Sequence, residues 1–363
     1  MTTLHDTATW REIRQQPDLW EEWGRSPALR EARDWIATLA FKEIWLCGAG
    51  SSAYIGDIVA AGVDGVIHPR LRSVPTTDIV SRPQAFFPTK ALMVHFGRSG
   101  DSAESVGVLD ALDAISPETP RLHITCNPEG QLATREPKVF KDPNIKKAPY
   151  KVLVLPQAAH DAGFAMTSSF SAMLLTALAL LAPEGPGPIP DQAATLRDLL
   201  PHFESFATAA RTPERMVFLG AGPLAAVARE SALKVMELTA GEVPCLWEST
   251  LGFRHGPKSF VRGATDIVLY LSSDPQAALY DADLSQELRA QFPESRVTTV
   301  GPGGDVPVPM PDGSEWGAAV VTPFAQVLAA TLSVRLGHDV DDPFAGQGTL
   351  SRVVQGVRLH KVT

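Results

Sequence analysis

The spacing of apolar residues changes once along the chain, near residue 40. From residue 5 to residue 40 the large apolar side chains recur at helical spacing, as in Trp10, Ile13, Trp20 and Trp23. From Glu43 onward, short apolar runs of strand length alternate with longer runs of helix length. This pattern predicts an N-terminal helical arm, packed on a domain or on a partner subunit, followed by an α/β fold with parallel sheets.

One strand-and-turn pattern occurs twice. The apolar run Glu43–Cys47 leads into Gly48-Ala49-Gly50, and the run at 216–219 leads into Gly220-Ala221-Gly222. A segment at 183–191 with four prolines and two glycines separates the copies. The repeat predicts two doubly wound, flavodoxin-like α/β units. The expected boundaries are an arm at 1–38, a first domain at 39–184, a linker at 185–198, a second domain at 199–345 and a tail at 346–363.

The first copy carries two turns rich in hydroxyl groups, each after a predicted strand. They are Gly50-Ser51-Ser52 and Arg98-Ser99-Gly100-Asp101-Ser102. Because helix N-termini offer free N–H groups and the carboxyl ends of parallel strands share one edge, the turns predict a phosphate site. The second copy has Pro223 and Leu224 where the first has its two adjacent serines, so phosphate is expected in the first copy.

Other interpretations of these hydroxyl groups stay open. Ser99 or Ser102 could simply cap a helix. The pattern Gly48-x-Gly50-x-x-Ala53 also fits a loose dinucleotide-binding fingerprint, with Asp78 as a candidate for the ribose contact. Thr167-Ser168 precedes a long apolar helix, and these hydroxyls either cap that helix or face a ligand.

The second copy contributes a charged segment. Glu230, Lys234 and Glu237 lie at i, i+4 and i+7, which places them on one face of a predicted helix. A loop is expected to follow and to end in Arg254-His255-Gly256-Pro257, where the Gly-Pro corner constrains the histidine. This set suits general acid–base catalysis, although a salt-bridged surface stripe would explain Glu230 and Lys234 equally well.

Composition narrows the class of protein. The 363 residues carry a formal net charge of -9 without a long basic run, which argues against a nucleic-acid binder. The three cysteines form no close pair and no His/Cys cluster occurs, so neither a metal nor a redox cofactor is expected. The N-terminus lacks the apolar core of a signal peptide, and the apolar stretch at 172–182 is too short to span a bilayer. A cytoplasmic protein without a membrane partner is expected.

Four segments in this order resemble double sugar isomerase (SIS) domain proteins. They are Gly50-Ser51-Ser52, the turn at 99–102, the helix and loop at 230–257, and a tail that includes Asp339–Phe344 and 352–357. The resemblance covers about residues 40 to 360. It is strongest to the AgaS group of galactosamine-6-phosphate deaminases or tagatose-6-phosphate ketose/aldose isomerases, and weaker to the isomerase half of glucosamine-6-phosphate synthase. It implies two tandem SIS domains, each a parallel sheet flanked by helices.

The resemblance implies a role for each matching residue. The phosphate of a phosphorylated amino sugar would be held by Gly50, Ser52, Ser99 and Ser102, with backbone at Ser51 and Arg98. Glu237 matches the carboxylate that moves a proton between C1 and C2, and His255 matches the histidine that opens the sugar ring. In the synthase that histidine comes from the neighbouring subunit, so a homodimer that shares His255 is expected. Glu230 and Lys234 match an acid and a lysine beside the site.

Two departures from the synthase pattern favour deamination over synthesis. The chain has Thr2 and Thr3 where the synthase has a cysteine nucleophile, so it is not expected to take ammonia from glutamine. Arg352 stands near the imine-forming lysine of the synthase, and arginine is a poor imine nucleophile. Lys361 is a doubtful substitute, and Arg352 is expected to bind substrate.

The expected reaction converts galactosamine 6-phosphate to tagatose 6-phosphate and ammonia without a cofactor. Deamination of glucosamine 6-phosphate and plain aldose/ketose isomerisation of a sugar phosphate are alternatives within the same fold. A non-catalytic sensor of sugar phosphates is an alternative of another class.

Overall fold

The computed structural model describes residues 3–63, 65, 69–87, 90–142, 146–348, 350–354 and 356–360, so Lys361 lies outside the described residues. The described chain contains two five-stranded sheets in which neighbouring strands run parallel. The predicted α/β class is confirmed.

The first sheet has the strand order β2-β1-β3-β4-β5. Its strands are β1 (Glu43–Cys47), β2 (Arg70–Ser73), β3 (Ala91–Gly97), β4 (Arg121–Thr125) and β5 (Tyr150–Val154). Every residue of β3 is buried, as expected for a central strand covered on both faces. The carboxyl ends of the adjacent strands β1 and β3 therefore bring the two serine turns side by side.

The second sheet repeats this order as β10-β9-β8-β6-β7, read from the opposite edge. Its strands are β6 (Arg215–Gly220), β7 (Cys245–Ser249), β8 (Thr265–Tyr270), β9 (Arg296–Gly301) and β10 (Val306–Pro307). The predicted internal duplication is confirmed, since β6 to β10 pair in the same sequence as β1 to β5.

The expectation of a loop between Glu237 and His255 was wrong, because β7 lies there. β7 is an edge strand, and none of its residues is fully buried. An edge strand of this kind needs no continuous apolar run, so its sequence, Cys-Leu-Trp-Glu-Ser, carried no strand signal.

Eleven α-helices connect and cover the strands in the described part of the chain. They are α1 (Ala8–Gly24), α2 (Pro27–Ala37), α3 (Ser51–Val63), α4 (Thr76–Ser81), α5 (Ala103–Ile115), α6 (Gln131–Thr134), α7 (Ser168–Leu181), α8 (Ile189–Ala209), α9 (Pro223–Leu238), α10 (Pro275–Gln291) and α11 (Ser314–Leu336). Short 3-10 turns lie at Leu4–Asp6, Pro83–Ala85, Gln157–Ala159, Gly252–His255 and Pro257–Phe260.

One apolar core joins the two repeats. It takes in one face of each sheet, represented by Leu46 and Phe218, together with residues of α3, α7, α8, α9 and α11. Smaller clusters around Met93 and Ile267 cover the opposite faces of the two sheets. Within the shared core α3 packs directly against α9, so equivalent helices of the two repeats touch.

The arm and the expected linker are both built into this core. Trp20 Nε1 donates to Ser171 Oγ at 3.0 Å, and Trp23 Nε1 donates to Thr176 Oγ1 at 2.8 Å, which docks the predicted helical arm on α7 of its own chain. The proline-rich segment turns sharply after α7, and α8 already begins at Ile189. Residues 189–198, ten of the fourteen in the expected linker at 185–198, are therefore helix.

α11 has the length and composition of a membrane-spanning helix, but 89% of its most apolar window is buried inside the protein. Trp316 and Phe324 on this helix belong to the shared core. Its apolar surface is accounted for by packing within the protein.

Candidate functional site

The first serine turn is shaped by two glycines. The chain passes from β1 through Gly48, Ala49 and Gly50 directly into α3. A Cβ on Gly48 would lie 2.5 Å from the carbonyl oxygen of Ser52, so a side chain there would force the turn open. Gly50 has φ +55°, a conformation that favours glycine. The turn therefore sets the helix N-terminus, with Ser51 and Ser52, close against the end of β1.

The second serine turn follows β3 and is fastened by the loop after β4. Asn127 Nδ2 donates to the carbonyl oxygen of Ser99 at 3.0 Å, and Gln131 N donates to Asp101 Oδ1 at 2.8 Å. Ser102 caps α5 by accepting from the backbone N–H of Ser105 at 3.3 Å. The capping interpretation is thus correct for Ser102, but both turns also line one cavity.

This cavity has a volume of about 240 Å³ and lies where the two serine turns meet. Its walls come from five parts of the chain: the turn at 49–52, the turn and helix start at 96–105, Phe164 and Met166, Glu237, and the tail at 350–354. Gly50, Ser51, Ser52, Arg98, Ser99, Ser102, Glu237 and Arg352 are the predicted site residues that line it.

Glu237 reaches the cavity from the second repeat and is held by a buried lysine. Lys234 Nζ lies 2.6 Å from Glu237 Oε2 and 3.4 Å from Glu230 Oε1. The side chains of Glu230 and Lys234 are 0% and 1% exposed, whereas that of Glu237 is 23% exposed. The three residues form a buried ionic triad with one acid open to the cavity, rather than a surface stripe.

Burial dominates the protonation of this triad. It raises the pKa of Glu230 to about 7, although the nearby Lys234 ammonium opposes the shift. Burial alone would lower the pKa of Lys234, but the carboxylates of Glu230 and Glu237 outweigh it and the pKa of Lys234 is raised. Lys234 therefore stays charged at neutral pH and pairs with the acid that faces the cavity.

The tail closes one side of the cavity and is tied to the second serine turn. Arg98 Nη2 donates to the carbonyl oxygen of Arg352 at 2.9 Å, and Arg98 Nη1 donates to that of Phe164 at 3.0 Å. Arg352 Nε donates in turn to the carbonyl oxygen of Gly163 at 3.0 Å. The Arg98 side chain thus serves the scaffold, which leaves its backbone as the part available to a ligand.

The structure does not bring Thr167 and Ser168 to the cavity. Both are fully buried, and the carboxylate of Asp161 accepts from Thr167 N at 2.8 Å and from Ser168 N at 3.0 Å. Ser168 Oγ donates to the carbonyl oxygen of Glu12 at 2.6 Å. Because Asp161 satisfies the N-terminus of α7, these hydroxyls bind the scaffold instead of facing the cavity.

His255 also lies outside the cavity formed by its own chain. It is exposed at the end of the 3-10 turn Gly252–His255. Arg254 Nε lies 2.7 Å from Glu287 Oε2 on α10, and Gly256 has φ +122°, so the histidine is presented on a braced corner. Single-chain geometry therefore does not unite His255 with Glu237.

The second repeat has a turn of the same shape without the serines. A Cβ on Gly220 would lie 2.5 Å from the carbonyl oxygen of Leu224, as at Gly48 and Ser52. Leu224 is fully buried.

Asp78, the acid that a dinucleotide site would need, lies on α4 and does not line the cavity. The geometry does not support the dinucleotide interpretation.

Several wall residues carried no signal in the sequence. Phe164, Met166 and the apolar tail residues Leu350 and Val354 line the cavity because distant segments converge there. Asp161 was also missed, because it lies six residues before Thr167 and not directly before the helix, where a capping residue is sought in a sequence.

Comparison with known proteins yields full-length relatives. No family model matches the chain. The D-galactosamine-6-phosphate deaminase AgaS of Escherichia coli is 37% identical over an alignment of 381 positions, which covers 98% of this chain and 96% of that protein. The protein of the same name from Shewanella sp. (strain ANA-3) is 35% identical over an alignment of 370 positions, which covers 97% of this chain and 91% of that protein. The crystal structure of tagatose-6-phosphate ketose/aldose isomerase from Escherichia coli matches with a TM-score of 0.86 at 33% identity, over 99% of this chain and 98% of that chain.

The triad generates a prediction about stability. We expect Lys234→Met to lower the free energy of unfolding by ~3–5 kcal/mol at pH 8, because it leaves a buried carboxylate uncompensated. The pKa of Glu230 is already raised to about 7, so at pH 6 this group takes up a proton and the loss becomes smaller. Urea unfolding at pH 6 and pH 8 measures the difference.

The double variant Glu230→Gln/Lys234→Met is the matched control, and it should recover most of the stability lost at pH 8. An equal loss at both pH values, unrelieved in the double variant, would contradict the ionic account of the triad.

Proposed function

This chain belongs to the AgaS family of tandem SIS-domain proteins, and from that membership we propose that it is a D-galactosamine-6-phosphate deaminase. It would convert galactosamine 6-phosphate and water to tagatose 6-phosphate and ammonia. The observation that carries the proposal is the convergence of two serine turns and one acid from the other repeat on a single cavity.

The serine turns are the proposed site for the phosphate group. Ser51, Ser52, Arg98, Ser99 and Ser102 all line the cavity. Neutral donors at the N-terminus of α3 suit a dianionic phosphate, because the helix dipole and the free N–H groups favour negative charge there. Glu237 lines the same cavity and would face C1 and C2 of an open-chain sugar.

In the proposed reaction, Glu237 is the general base. It takes the proton from C2 of the open-chain aminoaldose, and the electron pair forms a C1–C2 double bond while the C1=O double bond opens and its oxygen takes up a proton, which gives an enaminol. Returning the proton from Glu237 to C1 gives a ketose iminium ion with a C2=N bond. Water adds to C2 and the C2–N bond breaks, which releases ammonia and the ketose. General acid–base catalysis of this kind contributes roughly 10²–10⁴-fold to the rate. Lys234, 2.6 Å from Glu237 Oε2, would hold the carboxylate in place.

Ring opening is assigned to His255 of a second copy of the chain, in a homodimer. The support is that His255 is exposed and does not line the cavity of its own chain, and that two large apolar side chains are exposed in the same segment, on β7 and just after it. Trp247 and Leu251 are 39% and 43% exposed, and Arg229 stacks on the ring of Trp247 with its Cζ 5.1 Å from the centroid. Exposed tryptophan and arginine are typical anchors of protein interfaces.

We place this enzyme in the cytoplasm, in keeping with its three unpaired cysteines. The isomerase name of the Escherichia coli structure supports one alternative, a plain aldose/ketose isomerase. That enzyme would use the same serine turns and the same acid, and would differ only in releasing no ammonia.

The first test separates these activities. We expect the purified protein to release ammonia from galactosamine 6-phosphate with a kcat/KM at least about tenfold above that for glucosamine 6-phosphate, since one pocket contact decides roughly this much. A coupled ammonia assay with both substrates measures the ratio. Ketose formation without ammonia would overturn the deaminase assignment, and a preference for the gluco sugar would overturn the substrate.

The second test addresses the base. Glu237→Gln keeps the size of the side chain but cannot accept the C2 proton, so we expect kcat to fall by at least about 10²-fold. Binding of tagatose 6-phosphate, measured by calorimetry, should change less than about threefold, because the phosphate contacts remain. Ser52→Val is the matched contrast and should weaken binding. Normal turnover in the glutamine variant would refute the assigned base and favour a sensor.

The third test addresses the shared site. Glu237→Gln and His255→Asn should each be nearly inactive alone. After unfolding and refolding in equal amounts, random mixed dimers should regain roughly a quarter of wild-type activity, because one site in each mixed dimer carries both native residues. No regain on mixing would show that both residues act within one chain.

A further inference from the structure

The N-terminal arm does not line the cavity, yet one of its side chains lies a single layer behind the wall. Glu12 on α1 is only 7% exposed. Its Oε1 accepts from the backbone N–H of Ala162 at 2.5 Å and from that of Gly163 at 3.2 Å. Both donors belong to the loop at 161–165, which precedes α7.

The opposite side of this loop faces the site. The carbonyl oxygens of Gly163, Phe164 and Ala165 accept from Arg98 Nη1 at 3.3, 3.0 and 3.3 Å. Gly163 also accepts from Arg352 Nε at 3.0 Å. Thus one carboxylate holds the N–H groups of the loop, while two guanidinium groups from the cavity wall hold its carbonyl groups.

The approach of the arm to the loop depends on a glycine. A Cβ on Gly163 would lie 2.4 Å from Thr9 Oγ1 and 3.1 Å from Glu12 Oε2. Any side chain at residue 163 would therefore push the arm away from the loop. The contact is too close to be a general apolar docking of α1.

We infer that Glu12 is a positioning residue for the wall of the cavity that carries the serine turns. By holding the backbone N–H groups of Ala162 and Gly163 it restrains the loop whose next carbonyl oxygens, at 163–165, orient Arg98, and Arg98 in turn holds the tail segment at 350–354 beside the second serine turn. The N-terminal arm is therefore a working part of the site. The link to catalysis rests on the proposed function, whereas the link to cavity shape rests on the contacts alone.

For this contact, the acceptor oxygen of the Glu12 side chain matters more than its negative charge. Burial, with Asp161 and Asp341 nearby, raises the pKa of Glu12 to about 7, so the group is partly neutral under ordinary assay conditions. A glutamine at this position keeps an oxygen that can accept from the same N–H groups. Glu12→Gln should therefore behave nearly as wild type, whereas Glu12→Ala leaves two buried donors without an acceptor.

The experiment compares Glu12→Ala and Glu12→Gln with a control from the same face of α1. Gln16 is fully buried, donates to Gln326 Oε1 at 2.9 Å and accepts from Ser171 Oγ at 2.6 Å, and its hydrogen bonds in the described structure do not include the loop at 161–165. Gln16→Ala therefore loosens the arm without disturbing the loop. Gly163→Ala provides a second route to the same displacement if Glu12→Ala fails to fold.

For Glu12→Ala and Gly163→Ala we expect KM for galactosamine 6-phosphate to rise about tenfold with kcat within about twofold, as for loss of uniform binding. Amide hydrogen exchange at 350–354 in the protein without substrate should also accelerate. Glu12→Gln should restore both readouts, and Gln16→Ala should lower the melting temperature without moving either.

Equal effects of Gln16→Ala and Glu12→Ala would overturn the inference, because the arm would then act only through stability. Unchanged exchange at 350–354 in both Glu12→Ala and Gly163→Ala would overturn it as well. Absence of ammonia release by the wild type would instead refute the proposed function, and the exchange readout would still decide the role of Glu12.

Discussion

The packing of α3 against α9 holds the two halves of the site in register. α3 starts at the first serine turn, and α9 carries the ionic triad. Their contact therefore sets the distance between that serine turn and Glu237. Arg229 on α9 lies 3.2 Å from Asp57 on α3 and covers the ring of Tyr54 at 4.3 Å. These polar contacts at the margin fix a helix pair whose apolar faces belong to the common core.

Duplication followed by divergence explains why neither repeat is complete. Both repeats keep the glycine that lets a helix start directly against a strand, at Gly48 and at Gly220. Only the first has a hydroxyl at the start of the helix that follows, since Leu224 occupies the place of Ser52. The second repeat instead supplies Glu237. The cavity lies between the repeats because each contributes a different part of its wall.

Much of the fold and of the candidate site could be predicted from local sequence patterns. Apolar runs and Gly-Ala-Gly turns were enough for the strands next to the site, for the duplication and for the serine turns. The edge strand β7 was not predicted, because its residues are half-exposed and its apolar residues follow no regular spacing. Thr167 and Ser168 looked like ligands because the sequence cannot show that Asp161, six or seven residues earlier, takes up their N–H groups. The wall formed by 350–354 depends on long-range bonds to Arg98, which no local pattern encodes.

β7 has a further consequence for the protein in solution. The other sheet edges are protected in familiar ways: β2 presents Arg70 and Arg72, β5 presents Lys151, and β10 has two residues, one of them a proline. β7 instead presents Trp247, which is 39% exposed, at the edge of its sheet. An uncovered edge of this kind can pair with another strand, so it is a template for aggregation wherever nothing packs over it. The tendency of the protein to aggregate, and with it the yield of dilute or truncated preparations, then depends on keeping the edge at β7 covered.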